Sequence, residues 1–448
     1  MTDMEKFQYS PQTICISIDD DSSTAPHPIA TQKLSIRVVP VEPTVSRPGH
    51  LYPEWSPKGN LTVVGASIAL FFAFGLMNAF GTFQTWYATH QLKHLPASTI
   101  SWIGSLQLWT FFFSGAPIGR LFDAYGPTRL MMAGTLCYVT SIVLTSVCTR
   151  YYQYIMSQGV LFGLSVGLLF YPSLSSISTH FSKYRATALG IAAAGSGLGG
   201  VVFPIMMQRL FEQIGFGWGI RIIALIGFVG CTVATLTVTS LSTKKKPGPY
   251  FDVTTVSDSK FILLAIGSCF VALGLFNPFF YIVDYARRFS ISEHMSFYVL
   301  AVMNAGGVLG RIAPAYASDR VGRFNLLTPS AFLCGLSCVT IWFFAHSLPL
   351  IIIFSVLYGF LSGAFISLIT PCVAQISDIR QIGTRIGLLY SIISFPSLLG
   401  GPAAGALLGL EHGTFNTMII CSGSAIMVGS FFILFSRILI NSHALVVL

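Results

Sequence analysis

Runs of about 20 apolar residues recur along most of this 448-residue chain. One such run, coiled as a helix, crosses the ~30 Å hydrocarbon core of a bilayer. In lipid every backbone N–H and C=O must find a partner within the protein, which leaves helices or a closed barrel. A barrel would show alternating segments of about 10 residues, and that alternation is absent. Charge agrees: 9% of residues are charged, where soluble domains carry roughly 25%. A soluble enzyme, a nucleic-acid binder and a secreted disulfide protein are thereby excluded. The chain reads as an all-α polytopic membrane protein.

Twelve apolar segments are expected, near 61–87, 98–118, 130–149, 153–175, 186–210, 217–240, 260–284, 295–317, 325–345, 349–374, 384–410 and 414–436. Residues 1–60, rich in Pro, Ser, Thr and Asp, read as a disordered tail. A polar stretch with Lys244, Lys245, Lys246 and Pro247 divides the segments six and six. The expected plan is a tail (1–60), a six-helix bundle (61–240), a linker (241–259), a second six-helix bundle (260–438) and a short tail (439–448). Cytoplasmic loops collect Lys and Arg. With the N-terminus inside, 18 of the 25 basic residues face the cytoplasm and 6 face outward. Both termini are therefore expected in the cytoplasm, and the plasma membrane is the expected location.

The net charge of +9 comes from short loops between apolar runs, so it argues for topology and against a nucleic-acid partner. Nine cysteines are scattered, with no C-x-x-C and no metal-ligand spacing. No cofactor and no metal are expected. Gly195-x-Gly197-x-x-Gly200 matches a dinucleotide fingerprint, but it lies in an apolar helix with no strand before it. Close helix packing through small residues explains it.

The halves repeat. Gly119, Asp123, Gly126 and Arg129 follow the second segment; Asp319, Arg320, Gly322 and Arg323 follow the eighth. Asp123 and Asp319 lie 196 positions apart and keep the same offset to Gly126 and Gly322. Tyr171-Pro172 and Thr370-Pro371 end the fourth and tenth segments; Arg185 and Arg385 open the fifth and eleventh. Two similar six-helix halves are the mark of a transporter built from repeats, with its substrate site at the repeat interface.

On these residues the chain resembles the major facilitator superfamily. The loop Gly119-x-x-x-Asp123-x-x-Gly126-x-x-Arg129 is similar to that family's signature between helices 2 and 3. His180 to Gly197 resembles the segment entering helix 5 in monocarboxylate porters and their fungal relatives, and Gly383-Thr384-Arg385-Ile386-Gly387 is similar to the fungal members. The resemblance implies a twelve-helix transporter of two six-helix bundles. Asn78 stands where animal members of the group carry a lysine, and Gly307 stands where they carry an aspartate one turn before the helix 8 arginine.

Arg311 is the sharpest candidate for solute binding, since a charged side chain inside a span costs at least ~2.5 kcal/mol and faces a cavity or a partner. It could clamp a carboxylate bidentately; its structural alternative is a pair near the cytoplasmic end. Asn78, Tyr281, Asn304 and Tyr390 join it, because helices 1, 7, 8 and 11 line the cavity in the family resembled. Gly119, Asp123, Gly126, Arg129, Asp319, Arg320, Gly322 and Arg323 are read as gating residues. Asp284 and His180 are weak candidates for coupling to protons. The expected function is secondary transport of a small organic solute, anionic and carboxylate-bearing, or of a secondary metabolite, by alternating access between the halves. Export from a biosynthetic cluster is preferred over uptake of a short monocarboxylate; a receptor without transport is the remote alternative. Solute, lipid and protons are the expected partners, and oligomeric state leaves no mark in the sequence.

Overall fold

The computed structural model describes residues 56–95, 97–241, 258–289, 291, 293–377, 381–410 and 414–440. The expected tail up to residue 55, the lysine run of the linker and the last eight residues lie outside these.

Twelve spans emerge, several in two pieces. α1 runs Pro57–Asn78 and resumes as Phe80–Thr89. α2 comprises Ala97–Phe113 and Gly115–Tyr125. α3 is Pro127–Thr145. α4 begins at Tyr151–Tyr154, passes through a π-helical stretch at Ile155–Phe162 and ends as Gly163–His180. α5 is Arg185–Ile214 and α6 is Phe216–Thr237. α7 comprises Ser259–Leu275 and Asn277–Arg288, and α8 is Glu293–Val321. α9 is Arg323–Thr340, α10 Leu348–Gln375, α11 Ile382–Leu410 and α12 Asn416–Ile440. Among the described residues eleven spans are long and apolar enough by themselves to cross a membrane; α2, divided at Ser114, completes the twelve.

Local chemistry sets the boundaries. α1 starts earlier than its apolar run because the Ser56 hydroxyl accepts from Gly59 N at 3.2 Å and Pro57 stands at the first position. α7 starts after Asp258, whose carboxylate accepts from Lys260 N at 3.1 Å. The break in α2 has a chemical cause. Pro117 has no N–H to offer Phe113 O, and in lipid that carbonyl needs another donor. Ser391 of α11 donates to Phe113 O at 2.8 Å and accepts from Ala116 N at 2.8 Å. α5 packs on α1 by close backbone approach at Gly195 and Gly199, as the small-residue reading requires.

The helices before the linker meet those after it along two seams, α2 against α11 and α5 against α8. These seams are exchanged by the sequence repeat, since α8 answers to α2 and α11 to α5. α2 and α11 come so close that a Cβ on Gly119 would lie 2.0 Å from Gly383 O. Glycine is there because no side chain fits.

Candidate functional site

Each seam ends in an aspartate that crosses it. Gly126 and Gly322 hold φ of 77° and 106°, conformations that L side chains rarely adopt. The turns they permit end α2 and α8 next to the starts of α11 and α5. Asp123 accepts from Gly383 N at 3.1 Å, Thr384 N at 2.7 Å and Thr384 Oγ1 at 2.6 Å. Asp319 accepts from Ala186 N at 3.1 Å, Thr187 N at 2.7 Å and Thr187 Oγ1 at 2.7 Å. The first N–H groups of a helix have no partner within it, and the helix dipole favours an anion there. Both carboxylates thus hold the opposite half by the start of one of its helices.

Arg323 adds charge to the second knot. Its Nε and Nη2 reach Asp319 Oδ1 at 3.3 and 3.2 Å, and Nη2 also donates to Ser182 O at 2.5 Å. Arg185 donates to Ala374 O of α10 at 3.1 Å, a further tie between halves. Arg385 stays within its own half, on Asp258 at 3.1 Å and Ile376 O at 2.8 Å. Asp123 lies beyond the apolar part of α2. Burial pushes its carboxyl up from 3.8 to about 6, against the pull of the Thr384 and Gly383 donors. Arg129 is exposed, and Arg320 lies against the Tyr316 ring and bonds its hydroxyl.

Between the seams lies a cavity of about 70 Å³. A site that encloses a drug-sized solute spans ~300–1,000 Å³, so this cavity is too small to enclose one. Phe111, Phe112 and Phe170 of the first half face Ser367, Thr370 and Tyr390 of the second, and no charged side chain lines the wall.

The solute candidates scatter. Tyr390 lines the cavity and shares a hydrogen bond of 3.0 Å with Thr370. Arg311 lies behind the wall, buried, with Nη1 donating to Ser196 Oγ at 3.0 Å and to Ala193 O at 3.4 Å. Its Nε is buried with no hydrogen-bond partner among the described residues. Tyr281 donates to Gly401 O at 3.1 Å, Asn304 to Leu300 O on its own helix at 3.1 Å, and Asn78 is exposed at the break in α1. None of these three is on the cavity wall. His180 bonds Thr239 O at 2.9 Å inside the first half, and the Asp284 side chain lies outside the described residues. Thr187 and Thr384 were not among the sequence candidates; 197 positions separate them, one more than the 196 between the aspartates they meet. Nor were Phe112 and Ser391, which carry no motif. No group of three metal-ligating side chains occurs among the described residues.

The family model described as "Major Facilitator Superfamily" matches residues 66–313 and 262–443. The chain is 38% identical over 394 residues to the MFS-type transporter pynF of Aspergillus niger, covering 86% of this chain and 89% of that one. It is 37% identical to the agnestins efflux protein of Paecilomyces divaricatus (88% and 90% covered) and 36% identical to the aspyridones efflux protein of Emericella nidulans (87% and 80%). Among solved structures, the transporter FucP in its outward conformation shares the fold at a TM-score of 0.66 and 14% identity, with 84% of this chain and 98% of that one covered. Spans, seams, family model and relatives agree: the chain belongs to the major facilitator superfamily and is a multi-pass membrane transporter, not an enzyme.

Proposed function

We propose that this transporter exports a bulky, weakly polar organic solute of the secondary-metabolite kind, by rocking its two six-helix bundles (61–240 and 260–438) about the cavity between them. The observation that carries the reading is the cavity wall, apolar and aromatic from both halves, with a few hydroxyls among the rings and without charge. Such a wall suits rings and carbonyls better than a short hydrophilic acid. Relatives named as efflux proteins of agnestins and aspyridones support the outward direction.

In this reading the Asp123 and Asp319 knots are the cytoplasmic gate, closed here. Gly119, Gly126 and Gly322 shape it, Arg323 strengthens it, and Arg129 and Arg320 flank it. The side rests on the basic loops, 18 inside against 6 outside, with both termini cytoplasmic and the plasma membrane as the home. Proton coupling belongs to the same reading. Its sequence candidates are Asp284 and His180, of which His180 is engaged by Thr239. Deleting the gene and comparing cells with medium by mass spectrometry tests export. At least one metabolite should move from medium to cells; an unchanged partition of every metabolite would refute the reading.

A narrower form, an anionic solute, is favoured by the partnerless Nε of Arg311. A carboxylate would have to draw the guanidinium from Ser196. Transport of a carboxylic acid should fall at least tenfold in Arg311→Gln while its methyl ester moves as before. Equal rates for the acid in both proteins would remove Arg311 from the site.

A further inference from the structure

The ring pairs around the cavity are of two kinds. Phe111 and Phe170, both of the first half, meet edge to face at 5.0 Å and 87°. Rocking leaves that pair intact. Phe112 and Tyr390 belong to opposite halves, and their planes lie within 8° of parallel with centroids 5.8 Å apart. Rocking must draw these two rings apart. Phe170 closes one side of the gap, perpendicular to Tyr390 at 5.8 Å.

We propose that Phe112 and Tyr390 form a jaw that selects planar, conjugated solutes bearing a carbonyl or hydroxyl on one edge. This rests on the export reading above and names its substrate class. A flat ring system stacks at about 3.5 Å on each face, so it needs the jaw open to about 7 Å. A saturated polycycle is thicker and gains no stacking from either ring. The edge is read by hydroxyls. Tyr390 and Thr370 share one hydrogen bond, and two hydroxyls joined by one bond keep one O–H free to donate. With no charge on the wall, that donor and the two ring faces decide which solute fits.

The test uses the full chain in detergent and measures bound solute by equilibrium dialysis and mass spectrometry. The probes are 1,8-dihydroxyanthraquinone, which is planar, and cedrol, a saturated tricyclic alcohol. The wild type should bind the anthraquinone more tightly than cedrol. Phe112→Leu keeps apolar bulk and removes a ring; it should weaken the anthraquinone about fivefold and leave cedrol unchanged. Phe112→Tyr, which restores a ring, should return the affinity and so excludes misfolding as the cause. Tyr390→Phe should keep the stack and lose about fivefold through the hydroxyl. Cedrol bound as tightly as the anthraquinone, or Phe112→Leu weakening both probes alike or neither, would overturn the jaw. Direction is read separately in oriented vesicles. Outward movement without preference for planarity overturns the jaw and keeps the export reading. Inward movement overturns export, and the binding series still judges the jaw.

Discussion

Asp123 and Asp319 each take three hydrogen bonds from the start of a helix in the opposite half, and corresponding distances differ by no more than 0.1 Å. Their surroundings differ in charge. Arg323 follows Gly322 and pairs with Asp319, and Pro127 holds the same place after Gly126. Both residues open a helix, but proline supplies only a fixed φ where arginine supplies a cation. Helix-end bonds therefore come with the repeat, while the ion pair belongs to one copy. The Asp319 knot is held by charge and hydrogen bonds, the Asp123 knot by three donors around a carboxyl that burial disfavours as an anion.

The largest expected effect is at Asp319, whose side chain is 1% exposed. Asp319→Ala leaves Arg323 buried without its carboxylate, with only Ser182 O still accepting from it, a loss of about 3–5 kcal/mol. A lower melting temperature and a knot side more open to labelling should report it. Asp123→Ala strands three donors and no paired arginine, so about 1–3 kcal/mol is expected. Equal effects on labelling would show that Arg323 adds nothing to the gate, breaking the comparison.

Pro127→Arg would give the first knot the cation of the second. Under the gating proposal, labelling from the side of the knots should slow and turnover should fall, because a tighter closure opens less often; unchanged turnover would leave the asymmetry without consequence. The smallest effect is with pH. In the closed gate the Asp123 carboxyl titrates at about 6; released into water it returns to about 3.9. The closed form thus binds the proton more tightly. The cost of holding the anion in the closed gate is present above pH 6 and lost as pH falls toward 4. Acidification over that window should favour closure in the wild type and do so less in Asp123→Ala and Pro127→Arg. Closure that weakens on acidification would reverse this sign.

Much of the two aspartate knots was legible before the structure. The repeated Asp and Gly offsets picked out both loops, whereas the sequence register set Arg185 against Arg385 and so hid the match of Thr187 with Thr384 that the knots display. The cavity was less legible. Tyr390 is on the wall, but Tyr281 and Asn304 spend their donors on backbone carbonyls, and Asn78 lies exposed at a helix break. A polar residue in an apolar span signals that it needs a partner, and any carbonyl of the same helix or its neighbour can provide one. Arg311 shows the same limit: its partners, Ser196 and Ala193, are a hydroxyl and a carbonyl on α5, which no charge pattern announces.

The sequence by itself determined the spanning segments and the two-fold repeat. Each of these is a property of neighbours along the chain, or of one copy laid on another. Only the tertiary structure decided that Asp123 meets Thr384, 261 positions away, and that Asp319 meets Thr187, 132 positions away. It also decided which rings of the first half, Phe112, Phe170 and Tyr171, pack on Tyr390. These depend on how each helix is turned against its neighbours, and in lipid that rotation is set by close packing and hydrogen bonds, not by the hydrophobic pattern that places the helix in the membrane.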